Sequence, residues 1–416
     1  MKKILFVWMA AFVMIACNES KTVTVTVVND MALDRTGEMV EVSMGEVSAL
    51  LQLSNDGQIV VNDAKGWEVP YQITFDEKVI FRVDVPAGAS AVYTIKAGIP
   101  ADVPVIACGR HYPERVDDIA WENDKVAFRT YGPALQATGE RAFGYDVWTK
   151  YNTAEPVVEA RYARELNPET LAKISSLRPV DPVAAAALRA ATSYHVDHGD
   201  GLDCYKVGPT LGGGTAALMV EGRIVYPYCY ETYEILDNGP LRFTLQLQYA
   251  PSRVADHSPD VVETRVISLD AGSYMNRAVV SYSGLNEPVE IAAGIVLHEP
   301  EGTAVVAADA ANGYVTYADP TDNADAGNGT IFVGVVAPGR VKEAGAVYFS
   351  KEEKEKERAG ADGHVLAVSD YEPGADYVYY FGSAWSKAAI KDAAGWDSYV
   401  SEFARRVRHP LVVTVE

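Results

Sequence analysis

Short segments of alternating apolar and polar residues, each closed by turn-forming residues, dominate the first hundred positions of the chain. Residues 22–28 read Thr-Val-Thr-Val-Thr-Val-Val. Comparable runs follow at residues 50–53, 58–61, 69–75, 79–85 and 91–97. A period of two places every second side chain on the same face of a strand, so one face can be buried. The pattern predicts a small accessory β-sandwich over residues 22–100.

Strand-like segments continue through the rest of the chain, and helical patterns are few. Asn167-Pro168 and Asp181-Pro182 each have the form of a helix cap followed by proline at the first helical position. Residues 395–407 have the pattern of one amphipathic helix. So many strands in one stretch favour a large two-sheet supersandwich over residues 101–416. The expected fold class is therefore all-β with few short helices.

The N-terminus carries a targeting signal. Lys2 and Lys3 precede an uninterrupted apolar run over residues 4–16, which leads into Cys17. A bilayer span needs about 20 apolar residues, so this run has the length of a signal peptide's apolar region instead. Residues 14–17 resemble the lipobox of bacterial lipoproteins, which implies a signal peptide over residues 1–16, lipidation of Cys17 and a tether over residues 17–21. We expect lipid attachment to the outer membrane, on its periplasmic or its cell-surface side.

The charge balance disfavours one class of partner. Lys and Arg together number 36 against 57 Asp and Glu, which gives a formal net charge of −21. Binding to a phosphate backbone needs a basic face, so we expect no nucleic-acid partner.

The most polar part of the chain is the segment over residues 194–206. Its two imidazoles, His195 and His198, are candidate general acids or bases, because the ordinary pKa of histidine lies near working pH. Alternatively, the imidazoles bind a divalent metal such as Zn²⁺ or Ca²⁺ together with Asp197 or Asp200. Residues 319–329 are a weaker Ca²⁺ candidate, and no cofactor is certain. The third interpretation is an exposed loop without chemistry.

Glycines follow this segment at residues 208–214, where they would let the backbone approach a ligand closely. Aromatic and planar polar residues also interleave over residues 121–148. Aromatic rings stack on the C–H faces of sugars, and guanidinium groups bind carboxylates with two parallel hydrogen bonds. The candidate substrate-binding residues are Arg129, Tyr131, Arg141, Trp148, Lys206 and Trp385.

Together, residues 121–132, 143–148, 194–214, 233–242 and 379–387 resemble a domain-of-unknown-function family. Its members are secreted proteins and lipoproteins, chiefly of Bacteroidota, that accompany polysaccharide-degrading systems. The larger domain is similar to the galactose-mutarotase-like supersandwich of sugar epimerases, several glycoside hydrolases and polysaccharide lyases. The resemblance implies no particular catalytic residue, and a shared fold alone does not define a reaction.

Two reactions on uronic-acid-containing oligosaccharides fit these residues, and sugar epimerisation is less favoured. An elimination needs a cation on the carboxylate, a base for the C5 proton and an acid for the leaving oxygen. Arg129 or Arg141, His195 or His198, and Tyr145 or Tyr205 are the respective candidates. A hydrolysis needs two carboxylates, for which Asp200, Asp203 and Glu231 are candidates. The alternative is a non-catalytic glycan-binding lipoprotein.

Overall fold

The computed structural model describes residues 21–54, 57–255 and 257–416. Cys17 and the apolar leader before it lie outside the described residues. Within the described ranges, no helix is long and apolar enough to cross a membrane.

The N-terminal part of the described chain is a small β-sandwich around its own apolar core. Its strands are β1 (Thr22–Val28), β2 (Arg35–Ser43), β3 (Ile59–Asn62), β4 (Glu68–Val69), β5 (Tyr71–Ile73), β6 (Lys78–Val85) and β7 (Ser90–Ala97). Helix α1 (Met44–Leu51) is capped by Ser43, whose hydroxyl accepts a hydrogen bond from the Glu46 amide. The alternating residues Val23, Val25 and Val27 are fully buried, as the period of two in β1 predicts.

A small antiparallel sheet follows, with the order β11-β10-β9-β8. Its strands are β8 (Cys108–Tyr112), β9 (Asp118–Glu122), β10 (Ala127–Thr130) and β11 (Asp146–Trp148). The helices of this region are α2 (Pro133–Ala137), α3 (Val158–Glu165), α4 (Pro168–Leu177) and α5 (Pro182–Thr192). Asn167 and Asp181 cap α4 and α5 as the sequence predicts, by accepting hydrogen bonds from the amides of Thr170 and Ala184.

Two larger antiparallel sheets form the second sandwich. The smaller of the two has the order β13-β12-β18-β23-β22 and consists of β12 (Gly213–Val220), β13 (Arg223–Ile224), β18 (Val289–Leu297), β22 (Glu343–Tyr348) and β23 (Gly363–Tyr371). The larger has the order β14-β15-β16-β17-β24-β21-β20-β19. Its strands are β14 (Tyr230–Gly239), β15 (Arg242–Tyr249), β16 (Val262–Asp270), β17 (Met275–Ser283), β19 (Val305–Asp309), β20 (Tyr314–Asp319), β21 (Ile331–Val336) and β24 (Tyr377–Trp385).

The C-terminal end of the chain connects the two sandwiches. Helix α6 (Lys351–Lys356) lies at the surface, whereas α7 (Ala393–Arg408) buries Trp396, Val400 and Ala404. The last strand, β25 (Val412–Val415), then pairs antiparallel with β1 and extends the N-terminal sheet. The expected fold class is confirmed: the described chain is mostly β-sheet, with a small sandwich followed by a large one and few helices.

Candidate functional site

A buried arginine in the small sheet is surrounded by three carboxylates. Arg129 in β10 lies opposite Asp146 in β11, and Asp118 in β9 is a diagonal neighbour of Arg129 on the same face. Nη2 of Arg129 donates hydrogen bonds to the Asp146 carboxylate and, at 2.9 Å, to Asp203 Oδ2. Nη1 donates to Asp118 Oδ2 at 3.4 Å. The guanidinium therefore holds carboxylates from two strands and from the loop that contains Asp203.

This cluster carries more potential negative charge than one guanidinium balances. Burial and the neighbouring Asp203 raise the pKa of Asp146 to about 7, although Arg129 opposes the increase. Burial raises the pKa of Asp118 to about 6, again against Arg129 and also against Arg115. A low-dielectric environment destabilises the charged form of a carboxyl group, so Asp118 and Asp146 bind protons near neutral pH.

Aromatic rings enclose the same guanidinium. Its central carbon lies 4.9 Å from the ring centroid of Tyr131, 5.0 Å from that of Trp148 and 6.0 Å from that of Tyr194. Nη2 also donates to the Tyr131 hydroxyl at 3.2 Å. Burial raises the pKa of Tyr131 well above its ordinary value, so the phenol remains a proton donor at neutral pH.

His195 lies beside this cluster with its two ring nitrogens in different surroundings. Nδ1 is 2.9 Å from the backbone carbonyl oxygen of Asp203 and 3.7 Å from its Oδ2 atom. A carbonyl only accepts hydrogen bonds, so we assign the proton of the neutral ring to Nδ1. Nε2 then has a free lone pair, and 57% of the side chain is exposed. This is the arrangement of a general base held by its second nitrogen.

Arg129 and Asp203 of this cluster line an open cleft of about 740 Å³, and Asp118 and Asp146 are buried behind them. Seven of the predicted site residues lie along this cleft: Arg129, Tyr131, Arg141, His195, Asp203, Tyr205 and Lys206. Arg115 also lines it, and Glu355 and Glu357 do so from α6 and the residue after it. The structure therefore brings together residues from sequence segments that are more than sixty positions apart.

Three cations of the cleft have no ion-pair partner within the described ranges: Arg115, Arg141 and Lys206. Arg115 donates to the Tyr194 hydroxyl at 3.0 Å, and the other two side chains are exposed. By contrast, Glu355 and Glu357 lie 3.9 Å from Lys351 and 3.6 Å from Arg358. Unpaired cations in a cleft can bind a ligand carboxylate without first breaking an internal ion pair.

Several predicted site residues lie away from the cleft or turn their polar atoms from it. Tyr145 is buried in the large sandwich, where its hydroxyl accepts a hydrogen bond from Arg265 at 3.1 Å. The ring of Tyr205 lines the cleft, but its hydroxyl donates to the Gly212 carbonyl at 3.2 Å. His198 Nε2 lies 3.0 Å from the Ser193 carbonyl, and Asp200 pairs with Arg164 at 3.3 Å.

The two predicted tryptophans do not line the cleft. Trp148 is buried and donates to Asp146 Oδ2 at 3.1 Å, so its ring is part of the wall behind Arg129. Trp385 is also buried, donates to the Asn328 carbonyl at 2.7 Å and packs on the Tyr151 ring. Neither ring faces the cleft. Glycan stacking on Trp148 or Trp385 would need these rings to be exposed.

The glycine-rich segment contacts protein backbone. The Gly213 amide donates to the Tyr145 carbonyl at 2.7 Å, and residue 212 forms a parallel bridge with residue 145. Gly212 has a φ of 55°, and a Cβ atom there would collide with the Tyr145 carbonyl oxygen. These glycines let the segment pack closely against β11, and residues 210–214 are buried.

The metal interpretation finds no matching geometry in the parts of the chain that the structure describes. No group of three His, Cys, Asp or Glu side chains there is placed to hold a metal ion. His195 and His198 each direct a ring nitrogen at a backbone carbonyl.

The sequence reasoning missed Asp118, Asp146 and Arg115 as site residues. Asp118 and Asp146 are fully buried charged residues inside strands. The positions of these residues in β9, β10 and β11 could have indicated the cluster, because residues 118, 129 and 146 occupy the same face once the strands pair.

The fold and the cleft together define an all-β protein of two sandwiches with a polar, aromatic-lined site. The chain belongs to the family described as a domain of unknown function (DUF4861), whose model matches residues 27–413. It is 28% identical over 330 residues to uncharacterized protein P7 of Formosa agariphila, which covers 77% of this chain and 73% of that protein.

Two solved structures from Enterococcus faecalis are similar at 8% identity, each with a TM-score of 0.48. One is an alpha-mannosidase and the other a protein in glycosyl hydrolase family 38. Each comparison covers 95% of this chain but only 46% and 47% of the respective structures. The chain thus spans about half the length of these proteins.

Proposed function

We propose that the cleft binds a uronic-acid-containing oligosaccharide and cleaves it by elimination. The observation that carries the proposal is the position of His195, whose Nδ1 is held by the Asp203 carbonyl while Nε2 is free. A base in this state can remove a proton from a bound ligand. The unpaired cations of the same cleft supply partners for the uronate carboxylate.

In this reaction each group has a defined role. Arg141 and Lys206 neutralise the carboxylate, which makes the C5 proton more acidic. His195 Nε2 removes that proton. The electron pair of the broken C5–H bond then forms the C4–C5 double bond as the C4–O bond breaks. The Tyr131 hydroxyl then protonates the leaving oxygen. Arg129 orients Tyr131 and Asp203, and so acts as a positioning residue.

The hydrolytic alternative has less support from the same geometry. It needs two carboxylates on opposite sides of the glycosidic bond. Of the predicted carboxylates, only Asp203 lines the cleft, because Asp200 is paired with Arg164 and Glu231 lines a different pocket. The other carboxylates in the cleft lining are at exposed positions: Glu140, Asp322, Glu355 and Glu357. Elimination uses one imidazole and one phenol, and both lie at this cleft.

A non-catalytic glycan-binding protein is the second candidate. The observation in its favour is that Arg141 and Lys206 are exposed in the cleft and have no ion-pair partner among the described residues, so they can bind an acidic sugar without any proton transfer. In that case His195 contributes a hydrogen bond and no proton transfer.

Mass spectrometry of oligosaccharides incubated with the protein distinguishes the candidates. Elimination gives two fragments whose masses sum to that of the substrate, and the new uronate double bond absorbs in the ultraviolet. Hydrolysis adds the mass of one water molecule. Retention of intact acidic oligosaccharide without new products supports binding alone, and products from neutral oligosaccharides only would contradict the proposed substrate class.

A further inference from the structure

A groove of about 520 Å³ lies between the small sandwich and the large one. Side chains of β15, β16, β17 and β24 form its floor. They alternate along these strands with side chains of the large core, so they point away from that core. Further lining residues come from the ranges 36–41 and 75–78 and from α7. No described residue lines both this groove and the cleft.

A row of hydrogen-bonding side chains crosses the floor of this groove. Arg277 in β17 lies directly opposite Ser268 in β16 on one side and Tyr380 in β24 on the other. Thr244 continues the row on β15, and its hydroxyl oxygen is 3.4 Å from that of Ser268. Hydroxyl groups on both sides of a guanidinium are donors that can surround one oxyanion.

Two guanidinium groups of the groove have unused hydrogen-bonding capacity. Arg277 is exposed, donates to the Tyr380 hydroxyl and forms no ion pair within the described ranges. Arg406 in α7 is 3.8 Å from Glu402 and 3.9 Å from Glu38, distances longer than a hydrogen bond. Its buried Nε has no hydrogen-bond partner among the described residues. Buried polar groups are normally hydrogen-bonded, so this side chain lacks a partner that a ligand can supply.

The carboxylates of the groove are already bound by other cations. Each has a partner within hydrogen-bonding distance, in the pairs Asp270–Arg242, Glu41–Arg242, Glu41–Lys78, Asp76–Lys78 and Glu38–Arg35. These pairs neutralise the acidic side chains locally. The charge of Arg277 and Arg406 therefore remains available to an anionic ligand.

An exposed aromatic ring lines the same groove. Phe75 is 51% exposed, and its backbone amide donates to Asp237 Oδ1 at 2.8 Å, which holds this position of the chain in place. Tyr399 and Phe403 from α7 add further aromatic surface. A flat apolar surface near a cation favours a ligand that has both a ring and an anionic group.

We propose that this groove is a second binding site, which takes a ring that carries a carboxylate or a sulfate group. Arg277 binds the oxyanion together with the hydroxyls of Ser268 and Tyr380, and Phe75 packs against the face of the ring. An acidic sugar unit and an aromatic acid share this chemistry. The site is separate from the cleft, and it does not depend on the elimination proposed there.

Isothermal titration tests the proposal in the full chain with Arg141→Gln and Lys206→Met. These two changes remove exposed cations of the cleft, so they reduce binding of acids there. The probes are methyl glucuronide, glucose 6-sulfate, benzoate, inorganic sulfate and neutral methyl glucoside. We expect saturable binding of at least one ring acid. Tighter binding of the sugar acids or of benzoate identifies which source of the chemistry the groove prefers.

The cation of the row is tested in the same protein. We expect an additional Arg277→Gln change to raise the dissociation constant of the ring acid about tenfold, because a charged hydrogen bond is lost. The matched control is Arg223→Gln, since Arg223 is also an exposed strand arginine but lines neither the groove nor the cleft. We expect that change to leave the affinity unaltered. Phe75→Ala is expected to weaken binding of the ring acid and to leave that of inorganic sulfate unchanged.

A further variant keeps the test decisive if Arg277→Gln does not fold. Ser268→Asp places a carboxylate opposite Arg277, where it occupies the guanidinium, and we expect it to abolish binding of the ring acid. The proposal is overturned if no ring acid binds, if methyl glucoside or inorganic sulfate binds as tightly as the ring acids, or if Arg277→Gln and Arg223→Gln bind equally well. With the cleft intact, Arg277→Gln is expected to leave the rate of elimination unchanged, so failure of the groove and failure of the cleft are distinguishable.

Discussion

Tyr131 and Arg129, two positions apart at the end of β10, contact each other in two ways. Nη2 of the arginine donates to the tyrosine hydroxyl at 3.2 Å, and the guanidinium carbon lies 4.9 Å from the ring centroid. The arginine thereby fixes both the ring and its hydroxyl at the cleft wall. Because the hydroxyl oxygen accepts from Arg129, its own proton remains available to a second acceptor.

Replacement of this hydroxyl is the first test of the elimination. We expect Tyr131→Phe to lower kcat by about 10²- to 10⁴-fold, which is the usual contribution of a general acid. The ring stays in place over Arg129, so we expect the melting temperature to change little. The measurements are initial rates of double-bond formation and thermal unfolding. Tyr205→Phe is the control, because that hydroxyl donates to Gly212 and we expect a much smaller loss of rate.

The two histidines of the same loop provide a matched pair. His195 lines the cleft, and we expect His195→Gln to reduce turnover by about 10²- to 10⁴-fold because the base is lost. His198 contacts the Ser193 carbonyl and does not line the cleft, so we expect His198→Gln to keep most of the activity. Steady-state kinetics of both variants checks this. Equal losses in the two variants would refute the assignment of His195 as the base.

The role of the cleft cations is tested by replacing a lysine with an uncharged residue whose side chain has a similar length. We expect Lys206→Met to raise KM for a uronate oligosaccharide and to leave the melting temperature unchanged, because Lys206 is exposed and unpaired. Lys351→Met is the control, since this lysine is 88% exposed and lies in α6 without lining the cleft. A rise in KM with neutral oligosaccharides of equal length would contradict a role in carboxylate binding.

The predicted lipid anchor is tested at the N-terminus, outside the described residues. We expect Cys17→Ser to remove the attachment site of the lipid and to move the protein from the membrane fraction to the soluble fraction. Metabolic labelling with a fatty acid and fractionation of cells checks this. Labelling of the variant equal to that of the wild type would rule out Cys17 as the attachment site.

Local patterns in the sequence predict the elements of this fold well. The period of two over residues 22–28 corresponds to β1, and the amphipathic pattern over residues 395–407 corresponds to α7. The partner of each strand is harder to predict. Residues 411–415 have a strand pattern, but nothing local indicates that β25 pairs with β1, which is almost four hundred residues away. Side-chain periodicity defines a buried face but not the neighbouring strand.

The same limit explains the outcome at the site. The sequence suggested Tyr145 as an acid, yet adjacent strand residues point to opposite faces. Tyr145 therefore packs in the large core, whereas Asp146 reaches Arg129. The sequence also left His195 and His198 equivalent. They differ because backbone carbonyls from different residues, Asp203 and Ser193, hold their rings. Such contacts depend on the path of the loop in the folded protein, so residue composition and spacing do not predict them.

The carboxyl of Asp146 makes the stability of the fold depend on pH. Its pKa of about 7 in the folded protein is higher than the ordinary value of 3.8, because of burial and the neighbouring Asp203. Between these two values the folded state binds more protons than the unfolded state. The contribution of Asp146 to stability is therefore fully present at pH below 3.8 and is lost as pH rises through 7.

Asp146→Asn removes this proton and keeps the shape of the side chain. We expect the free energy of unfolding of the wild type, measured relative to this variant, to fall from pH 5 to pH 7 by at most about 1.4 kcal/mol per pH unit. Urea unfolding at each pH gives the difference between the two curves. Asp309→Asn is the control, because Asp309 is an acidic residue with a lowered pKa on the sheet edge. A wild-type curve parallel to that of Asp146→Asn would contradict a protonated carboxyl beside Arg129, and all three carboxylates would then be charged around one guanidinium.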